Sequence, residues 1–449
     1  MNIGFIPIDN RPVCYTLAQD ITAIDSSINF YIPPRELLGD LTKTAKVEEI
    51  FSWIKTLPKL DSLIISLDTL AYGGLIPSRR SADSFEEIKN RITELKEILK
   101  TKDAKIYAFS SIMRISNNNV NEEEKTYWSE YGKKIFEYSY KTHKNGFCEN
   151  SEIPEYILND YLETRKRNFE INKIYLNWQK ESFFDTLIFS KDDCAEFGLN
   201  VKEAKDLEIL GGFTKTGADE IPLTLLARAI QGEIKVAPIF LEPNEKNLIS
   251  NYEDISIENS VKSQLELANC RITNPNEADI LLYVNNFKKN QGEIVMKIPT
   301  EHFSGNFEQP KKPYMIADVR FANGADNNFI KEFFKTNFTE NFYGYSAWNT
   351  SANTLGSLIC ASKTKFLAKN FNKNAFLKLQ ATRLLDDWAY QANTRQQLTS
   401  ANAEELSEII EPYKNQVEEF LIKKFETSYK FPWNRLFEVE IEFNWYHPT

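Results

Sequence analysis

Short apolar runs of strand length recur along most of the chain, and most of them contain few polar residues. This composition is typical of strands that are buried on both faces of a parallel sheet. Amphipathic stretches of helical period, such as Phe85–Leu99 and Leu223–Gln231, lie between several of the runs, so the chain repeats a strand followed by a helix. The runs predict nine strands, at Ile3–Ile8, Ile28–Ile32, Ser62–Leu67, Lys105–Ser110, Thr186–Ser190, Ile234–Leu241, Asp279–Val284, Tyr314–Ala317 and Phe342–Ala347.

Polar or acidic residues directly follow almost every predicted strand. The carboxyl ends of the strands would therefore form a polar rim, which is where the loops of a barrel or the crevice of an open sheet bind ligands. We expect an α/β fold, a (β/α)8-like barrel with a helical insertion and a mainly helical C-terminal region. The alternative is an open, doubly wound parallel sheet.

Two stretches interrupt the alternation and predict the domain organisation. Residues 117–182 are charged and aromatic, with helical patterning in Glu122–Thr142 and Glu155–Gln179. From residue 363 onward the pattern is helical, until the alternation of Phe437–Phe443 predicts a late strand. We therefore expect an α/β catalytic domain over residues 1–362, with a helical excursion at about 117–182, and a mainly helical region over residues 363–449.

The composition is that of an ordinary globular protein, and it narrows the range of partners. Of the 449 residues, 42% are hydrophobic and 26% are charged, which is far from the composition of a disordered chain. The net charge of −10 and the lack of a basic stripe argue against nucleic acid as a partner. A small, neutral or weakly charged ligand fits better, and the sequence leaves the oligomeric state open.

The cellular setting follows from what the sequence lacks. No apolar run reaches the ~20 residues that span a bilayer, so we expect no membrane association. The first residues also lack the pattern of a secretory signal, which favours a cytoplasmic protein. The five cysteines are scattered and form no Cys-x-x-Cys, so reduced thiols are expected.

Two acidic pairs are the candidate catalytic residues. Asp192 and Asp193 end an apolar run, and Asp219 and Glu220 follow the short sequence Thr216–Ala218. Adjacent carboxylates at a strand end suit general acid catalysis, because like charges push their pKa values apart. The alternative is structural, with Asp192 capping a turn and Asp219 capping a helix near Ile221.

Further polar residues after predicted strands are candidates for substrate binding. They offer carboxylates, amides and guanidinium groups that could bond hydroxyl groups, and a tryptophan that could stack on a sugar ring. Each also has a structural interpretation, as a turn former, a solvated charge or a core tryptophan followed by a helix that Asn353 caps. The candidates are Asp9, Asn10, Arg11, Asp68, Tyr72, Arg79, Asp318, Arg320, Trp348 and Asn349.

Several other chemistries lack support in the sequence. Histidine occurs only at His143, His302 and His447, which disfavours serine–histidine or cysteine–histidine catalysis and zinc coordination by several histidines. Cys194 adjoins Asp193, whose charge would raise the pKa of the thiol, so we interpret it as a buried small residue. No nucleotide-binding glycine motif is present, so we expect carboxylate chemistry.

That chemistry could proceed without a cofactor or around a hard metal ion. We expect no cofactor. The alternative is Mg²⁺ or Mn²⁺ held by the carboxylates of Asp9, Asp68, Asp192 and Asp318.

Several of these motifs together resemble domain-of-unknown-function family 4127. The motifs are Ile8–Val13, Pro33–Gly39, Ser66–Arg79, Asp192-Asp193, Gly217–Glu220 and Ala347–Thr350. The resemblance covers about residues 1–360 or more and implies no activity.

A looser similarity concerns enzymes that act on N-acetylhexosamines. Gly217–Glu220 is similar to the Gly-Gly-Asp-Glu of barrel β-N-acetylhexosaminidases, with Ala218 in place of a glycine. The adjacent aspartates and Trp348-Asn349 are similar to motifs of O-GlcNAcase-like enzymes, with Thr350 in place of a proline.

These observations lead to one expected function and two rivals. We expect a glycoside hydrolase that cleaves N-acetylhexosaminides, with Asp192 orienting the acetamido group and Asp193 as general acid, and with Asp219 and Glu220 as the second choice of pair. The first rival is a metal-dependent hydrolase or isomerase that acts on a small polar substrate. The second is a sugar-binding protein without catalytic activity.

Overall fold

The structure is a computed structural model that describes residues 1–149 and 152–445. It confirms the α/β class, because parallel sheets alternate with helices along the chain. The strands are β1 (Asn2–Ile6), β2 (Asn29–Tyr31), β3 (Ser62–Ser66), β4 (Lys105–Ile112), β5 (Thr186–Lys191), β6 (Thr214–Thr216), β7 (Ile234–Phe240), β8 (Cys270–Ile272), β9 (Ile280–Asn285), β10 (Gly292–Glu293), β11 (Tyr314–Asp318), β12 (Phe321–Ala322), β13 (Phe342–Ser346), β14 (Phe425–Lys430) and β15 (Glu440–Trp445).

Helices connect most of these strands. They are α1 (Thr16–Thr22), α2 (Val47–Thr56), α3 (Leu67–Tyr72), α4 (Leu75–Arg80), α5 (Phe85–Lys100), α6 (Trp128–Asn145), α7 (Glu155–Lys180), α8 (Leu199–Ile209), α9 (Ile221–Ala229), α10 (Ile257–Leu267), α11 (Asn327–Phe333), α12 (Ser351–Leu367), α13 (Lys373–Arg383) and α14 (Ala403–Leu421). A π-helical segment, Leu384–Thr394, continues α13.

The chain divides into two compact units. Unit 1 consists of Met1–Tyr15, Asn29–Leu225 and the short returning segment Tyr252–Asp254. Unit 2 consists of Thr16–Ile28, Leu226–Asn251 and the chain from Ile255 onward. Each unit has a parallel sheet of its own.

The sheet of unit 1 has six parallel strands in the order β2-β1-β3-β4-β5-β6. Strand β3 is buried at every position, which explains its almost uninterrupted apolar sequence. Helix α5 packs on this sheet through a stripe that includes Ile88, Ile92 and Leu95, and a capping box between Ser84 and Glu87 fixes its first turn. The carboxyl ends of the strands lie at one edge, as in other parallel sheets.

The sheet of unit 2 has five parallel strands in the order β13-β11-β9-β7-β8. Strands β14 and β15 form a separate antiparallel pair. Helix α1 belongs to this unit, where it packs against α12 and α13. Its Leu17 and Ile21 are buried, and the Nζ of Lys378 in α13 lies 2.8 Å from Oδ1 of Asp20.

The structure confirms all nine predicted strands, each within a few residues of the predicted ends. The helical patterning of residues 117–182 corresponds to α6 and α7, and the late strand corresponds to β15. The sequence did not predict β6 and β8, which have three residues each, β10 and β12, which have two each, or β14. The closed barrel and the division into residues 1–362 and 363–449 stay predictions.

Candidate functional site

Arg11 joins two acidic residues at the carboxyl edge of the sheet in unit 1. Its Nε donates at 2.9 Å to Oδ2 of Asp9, which lies in the loop after β1. On its other side, Nη2 and Nη1 reach the two oxygens of Asp219 at 2.7 and 3.2 Å. This bidentate pair is geometrically specific, and it holds the loop after β1 against the loop after β6. Neighbouring Asn10 supports the first loop, since its carbonyl accepts a bond from Arg35.

Arg114 forms the centre of a second cluster, which follows β4 and β5. Its Nη1 lies 3.3 Å from Oδ2 of Asp192 and 3.2 Å from Oδ2 of Asp193. Its other nitrogens contact Glu123 at 2.8 Å and Glu124 at 3.0 Å. The fully buried Arg79 adds a second guanidinium, 3.5 Å from Asp192. The predicted pair Asp192 and Asp193 therefore shares one arginine nitrogen.

Asp193 has an unusual proton affinity and an unusual backbone. Removal of water by the surrounding protein and the charge of Asp192 raise its pKa to about 7, although Arg114 and Arg79 act in the opposite direction. The side chain is nevertheless 39% exposed, against 20% for Asp192. Its φ of 43° lies in the left-handed region, which is uncommon for residues other than glycine and is concentrated at functional sites.

Asp219 and Glu220 are less accessible than the first pair. Burial and the charges of Asp9 and Asp192 raise the pKa of Asp219, although the charge of Arg11 acts in the opposite direction. Glu220 is fully buried, and its Oε2 accepts the backbone N–H of Ala218 at 3.0 Å. Its carboxylate folds over Gly217 so closely that a Cβ there would lie 1.8 Å from Oε1. Glu220 therefore fixes the turn after β6.

Asp68 and Tyr72 are buried residues of α3. Oδ2 of Asp68 accepts the backbone N–H of Ser111 at 2.8 Å, which ties α3 to β4. Burial raises the pKa of Asp68 to about 6. Tyr72 is buried, and the Arg167 guanidinium lies 5.4 Å from the centre of its ring.

Some residues at this edge carry no sequence signal of their own. Asp254, from the returning segment of unit 1, pairs with the Nζ of Lys191 at 2.5 Å and accepts a bond from the Thr216 hydroxyl. Glu123 and Glu124 belong to a run of acids that resembles a solvated turn in the sequence. Arg114 follows β4 as other candidate residues follow their strands, but the sequence around it does not indicate that it pairs with Asp192 and Asp193.

Asp318 and Arg320 belong to a buried network in unit 2. Asp318 ends β11, where Asn285 and the Tyr345 hydroxyl donate to its carboxylate at 2.7 and 3.1 Å. Burial and the charge of Asp326 raise the pKa of Asp318 to about 7. Arg320 contacts Asn285 at 3.0 Å and Glu242 at 2.9 Å. Both predicted residues have no exposed surface within their unit.

Trp348 is a buried residue of unit 2. It is 4% exposed, its Nε1 donates to the Ser357 hydroxyl at 3.0 Å, and the Arg383 guanidinium lies 5.9 Å from its ring centre. Asn349 follows with a φ of 51°. The next helix is capped by Thr350, whose hydroxyl accepts the N–H of Asn353, so the structural alternative that named Asn353 as the cap is wrong. Thr350 supplies that hydroxyl directly before the first turn.

The described histidines each bond a neighbouring residue, and Cys194 lies near several acidic residues. His302 bonds Asp326 at 2.7 Å, His143 accepts the N–H of Gly198, and His447 lies outside the described residues. Burial raises the pKa of the Cys194 thiol, as do the nearby charges of Asp254, Asp192 and Asp193. Within residues 1–149 and 152–445, no three histidine, cysteine, aspartate or glutamate residues are grouped as metal ligands.

The fold and the site define an α/β protein with a carboxylate and arginine cluster at the carboxyl edge of a parallel sheet. Residues 3–442 match the model of the family described as "Protein of unknown function (DUF4127)", and the chain belongs to this family. No curated protein and no solved structure matches the chain significantly. In the part of the chain that the structure describes, no helix is both long and apolar enough to cross a membrane.

Proposed function

We propose that this protein is a carbohydrate-active enzyme, a glycoside hydrolase that cleaves N-acetylhexosaminides. The observation that carries the proposal is the pair of Asp192 and Asp193 on one nitrogen of Arg114. Asp193 has a pKa of about 7 and a partly exposed side chain, so it can hold a proton near neutrality and still reach a ligand. A general acid works best when its pKa lies near the working pH.

The two carboxylates have different roles in this mechanism. Among the described residues, the arginine contacts of Asp192 engage Oδ2, which leaves Oδ1 to accept the N–H of an acetamido group. The oriented acetamido carbonyl attacks the anomeric carbon while Asp193 gives its proton to the departing oxygen. Water then opens the cyclic intermediate, and the Asp193 carboxylate takes a proton from that water.

The geometry supports this pair over Asp219 and Glu220. Both oxygens of Asp219 are engaged by Arg11, and Glu220 has no exposed surface. We assign to Asp9, Arg11 and Asp219 the positioning of the loops around the substrate.

The strand order also supports the open, doubly wound sheet over the closed barrel for unit 1. Strand β2 pairs with one side of β1 and β3 pairs with the other, so the strand order reverses at β1. Open sheets bind ligands where the strand order reverses in this way. Asp9 and Asp68 follow the two strands that flank this point.

Turnover of aryl glycosides tests the proposed function. A panel of p-nitrophenyl hexosaminides and hexosides of both anomers is assayed with and without EDTA. We expect release of nitrophenol from at least one N-acetylhexosaminide, with the same rate in EDTA. If EDTA abolishes the activity, the metal-dependent mechanism takes the place of this one. If the protein binds N-acetylhexosamine without turnover, it is a sugar-binding protein.

A further inference from the structure

A cavity of about 650 Å³ lies in unit 1, between the segment after β4 and the first turn of α7. Its volume falls in the range of roughly 300–1,000 Å³ that small-molecule sites occupy. Its lining includes Glu124, Lys125, Tyr127, Tyr156, Ile157 and Asp160.

The wall of the cavity continues into the carboxylate and arginine cluster. Glu124 lines the cavity, and its Oε1 accepts bonds from Arg79 at 3.3 Å and Arg114 at 3.0 Å. The Nη1 of Arg114 contacts Asp193 at 3.2 Å. One carboxylate and one guanidinium therefore connect the cavity wall to the proposed general acid.

The lining combines aromatic rings with fixed polar groups. Tyr156, at the start of α7, lines the cavity and is 75% exposed, so its ring is open to a ligand. Asp160 accepts bonds from Lys125 at 2.7 Å and from the Tyr127 hydroxyl at 2.9 Å. An open aromatic face beside an ordered charged pair can stack on a sugar ring and bond its hydroxyl groups.

We propose that this cavity is a subsite for a second sugar ring of an oligosaccharide substrate. The inference rests on the proposed function, since it places the leaving-group side of the glycoside in the cavity. Tyr156 supplies the stacking face, and Asp160 with Lys125 bonds the hydroxyl groups of that ring. The enzyme would then prefer oligosaccharides of N-acetylhexosamine over single aryl glycosides.

A change in substrate preference tests the subsite. For each variant, kcat/KM is measured on N-acetylchitotetraose and on p-nitrophenyl N-acetylhexosaminide, and the ratio of the two values is compared. In Tyr156→Ala we expect this ratio to fall about 5- to 10-fold, the size of one lost aromatic contact. Phe147→Ala is the control, because Phe147 is 74% exposed but does not line the cavity.

An equal ratio in Tyr156→Ala and the parent enzyme would overturn the subsite, as would the same loss in Phe147→Ala. If the parent enzyme cleaves neither substrate, the proposed function fails, and calorimetric binding of N-acetylchitotetraose then decides on the cavity. Weaker binding by Tyr156→Ala alone would support a carbohydrate site, whereas absence of binding by the parent protein would overturn it.

Discussion

At the scale of single residues, Asp193 and Asp192 differ in exposure although they share Arg114. We expect Asp193→Asn to slow glycosides with poor leaving groups by roughly 10²–10⁴, because these need a proton from the general acid. Activated aryl glycosides should be slowed far less. Asp192→Asn should slow both classes alike, since orientation of the acetamido group precedes either departure. Steady-state rates on a series of glycosides with different leaving groups measure these losses.

Normal rates in both variants would contradict the assignment. If Glu220→Gln were then inactive, the catalytic pair would be Asp219 and Glu220.

The pKa of about 7 at Asp193 predicts a pH profile. The acid is protonated below that pKa, so kcat/KM should fall as the pH rises above about 7, by up to tenfold per pH unit. In Asp193→Asn this limb should disappear from the residual activity on aryl glycosides. A limb that persists in Asp193→Asn would mean that another group is the acid.

The burial of Trp348 predicts a cost in stability. Trp348→Ala removes a large buried ring and the bond to Ser357, so the free energy of unfolding should fall by about 3–5 kcal/mol. Trp348→Phe keeps most of the ring volume and should lose less than half as much. Urea denaturation measures both variants, and a loss below about 1 kcal/mol for the alanine variant would point to an exposed ring.

Sequence reasoning identified several site residues but few of their partners. Asp9 and Arg11 are two residues apart, so their contact is local. Asp219 lies 208 residues beyond Arg11, and no local pattern indicates such a pairing. The role of Arg114 was equally hidden, because it depends on which loops meet after folding.

At the scale of elements, the turn between β6 and α9 depends on Gly217. Its φ is 112°, and a Cβ would lie 1.8 Å from Oε1 of Glu220. We expect Gly217→Ala to reduce the free energy of unfolding by about 2–4 kcal/mol, because backbone strain and the steric clash add.

Gly211→Ala is a matched control for that change. Gly211 has a φ of 93°, but a Cβ there would meet no atom within 4 Å. It should lose only about 1 kcal/mol, the cost of the backbone strain alone. Equal losses at the two positions would show that contact with Glu220 contributes nothing.

The strands were predictable because burial on both faces gives β1, β3 and β9 a nearly uninterrupted apolar sequence. Strands β6 and β8 were not predicted because each has only three residues and lies at the edge of its sheet, and β6 has no apolar residue. Their pairing depends on a neighbouring strand rather than on their own residues.

At the scale of the whole molecule, buried carboxyl groups set the dependence of stability on pH. Burial raises the pKa of Asp68 to about 6 and those of Asp318 and Asp387 to about 7, whereas an unfolded chain titrates near ~3.9. Between those values the folded state binds more protons, so the free energy of unfolding falls as the pH rises from about 4 to 7. We expect a Tm at pH ~5 that exceeds the Tm at pH ~8 by about 4 °C or more.

Calorimetry of two variants tests whether Asp318 contributes to this dependence of the Tm on pH. Asp318→Asn mimics the protonated carboxyl group and should reduce the difference in Tm between the two pH values. Asp103→Asn, at an exposed ion pair, should leave it as in the parent protein. A Tm that is equal or higher at the upper pH in the parent would contradict the prediction.

The placement of α1 in unit 2 has a consequence for synthesis on the ribosome. Its Asp20 pairs with Lys378, which lies 358 residues later in the chain. At a translation rate of ~5–20 residues per second, synthesis reaches Lys378 roughly 20–70 s after Asp20. The apolar face of α1 therefore lacks its packing partners during that time. Meanwhile, Leu17 and Ile21 stay exposed on the nascent chain, where chaperones can bind them, and α1 docks long after it has been translated.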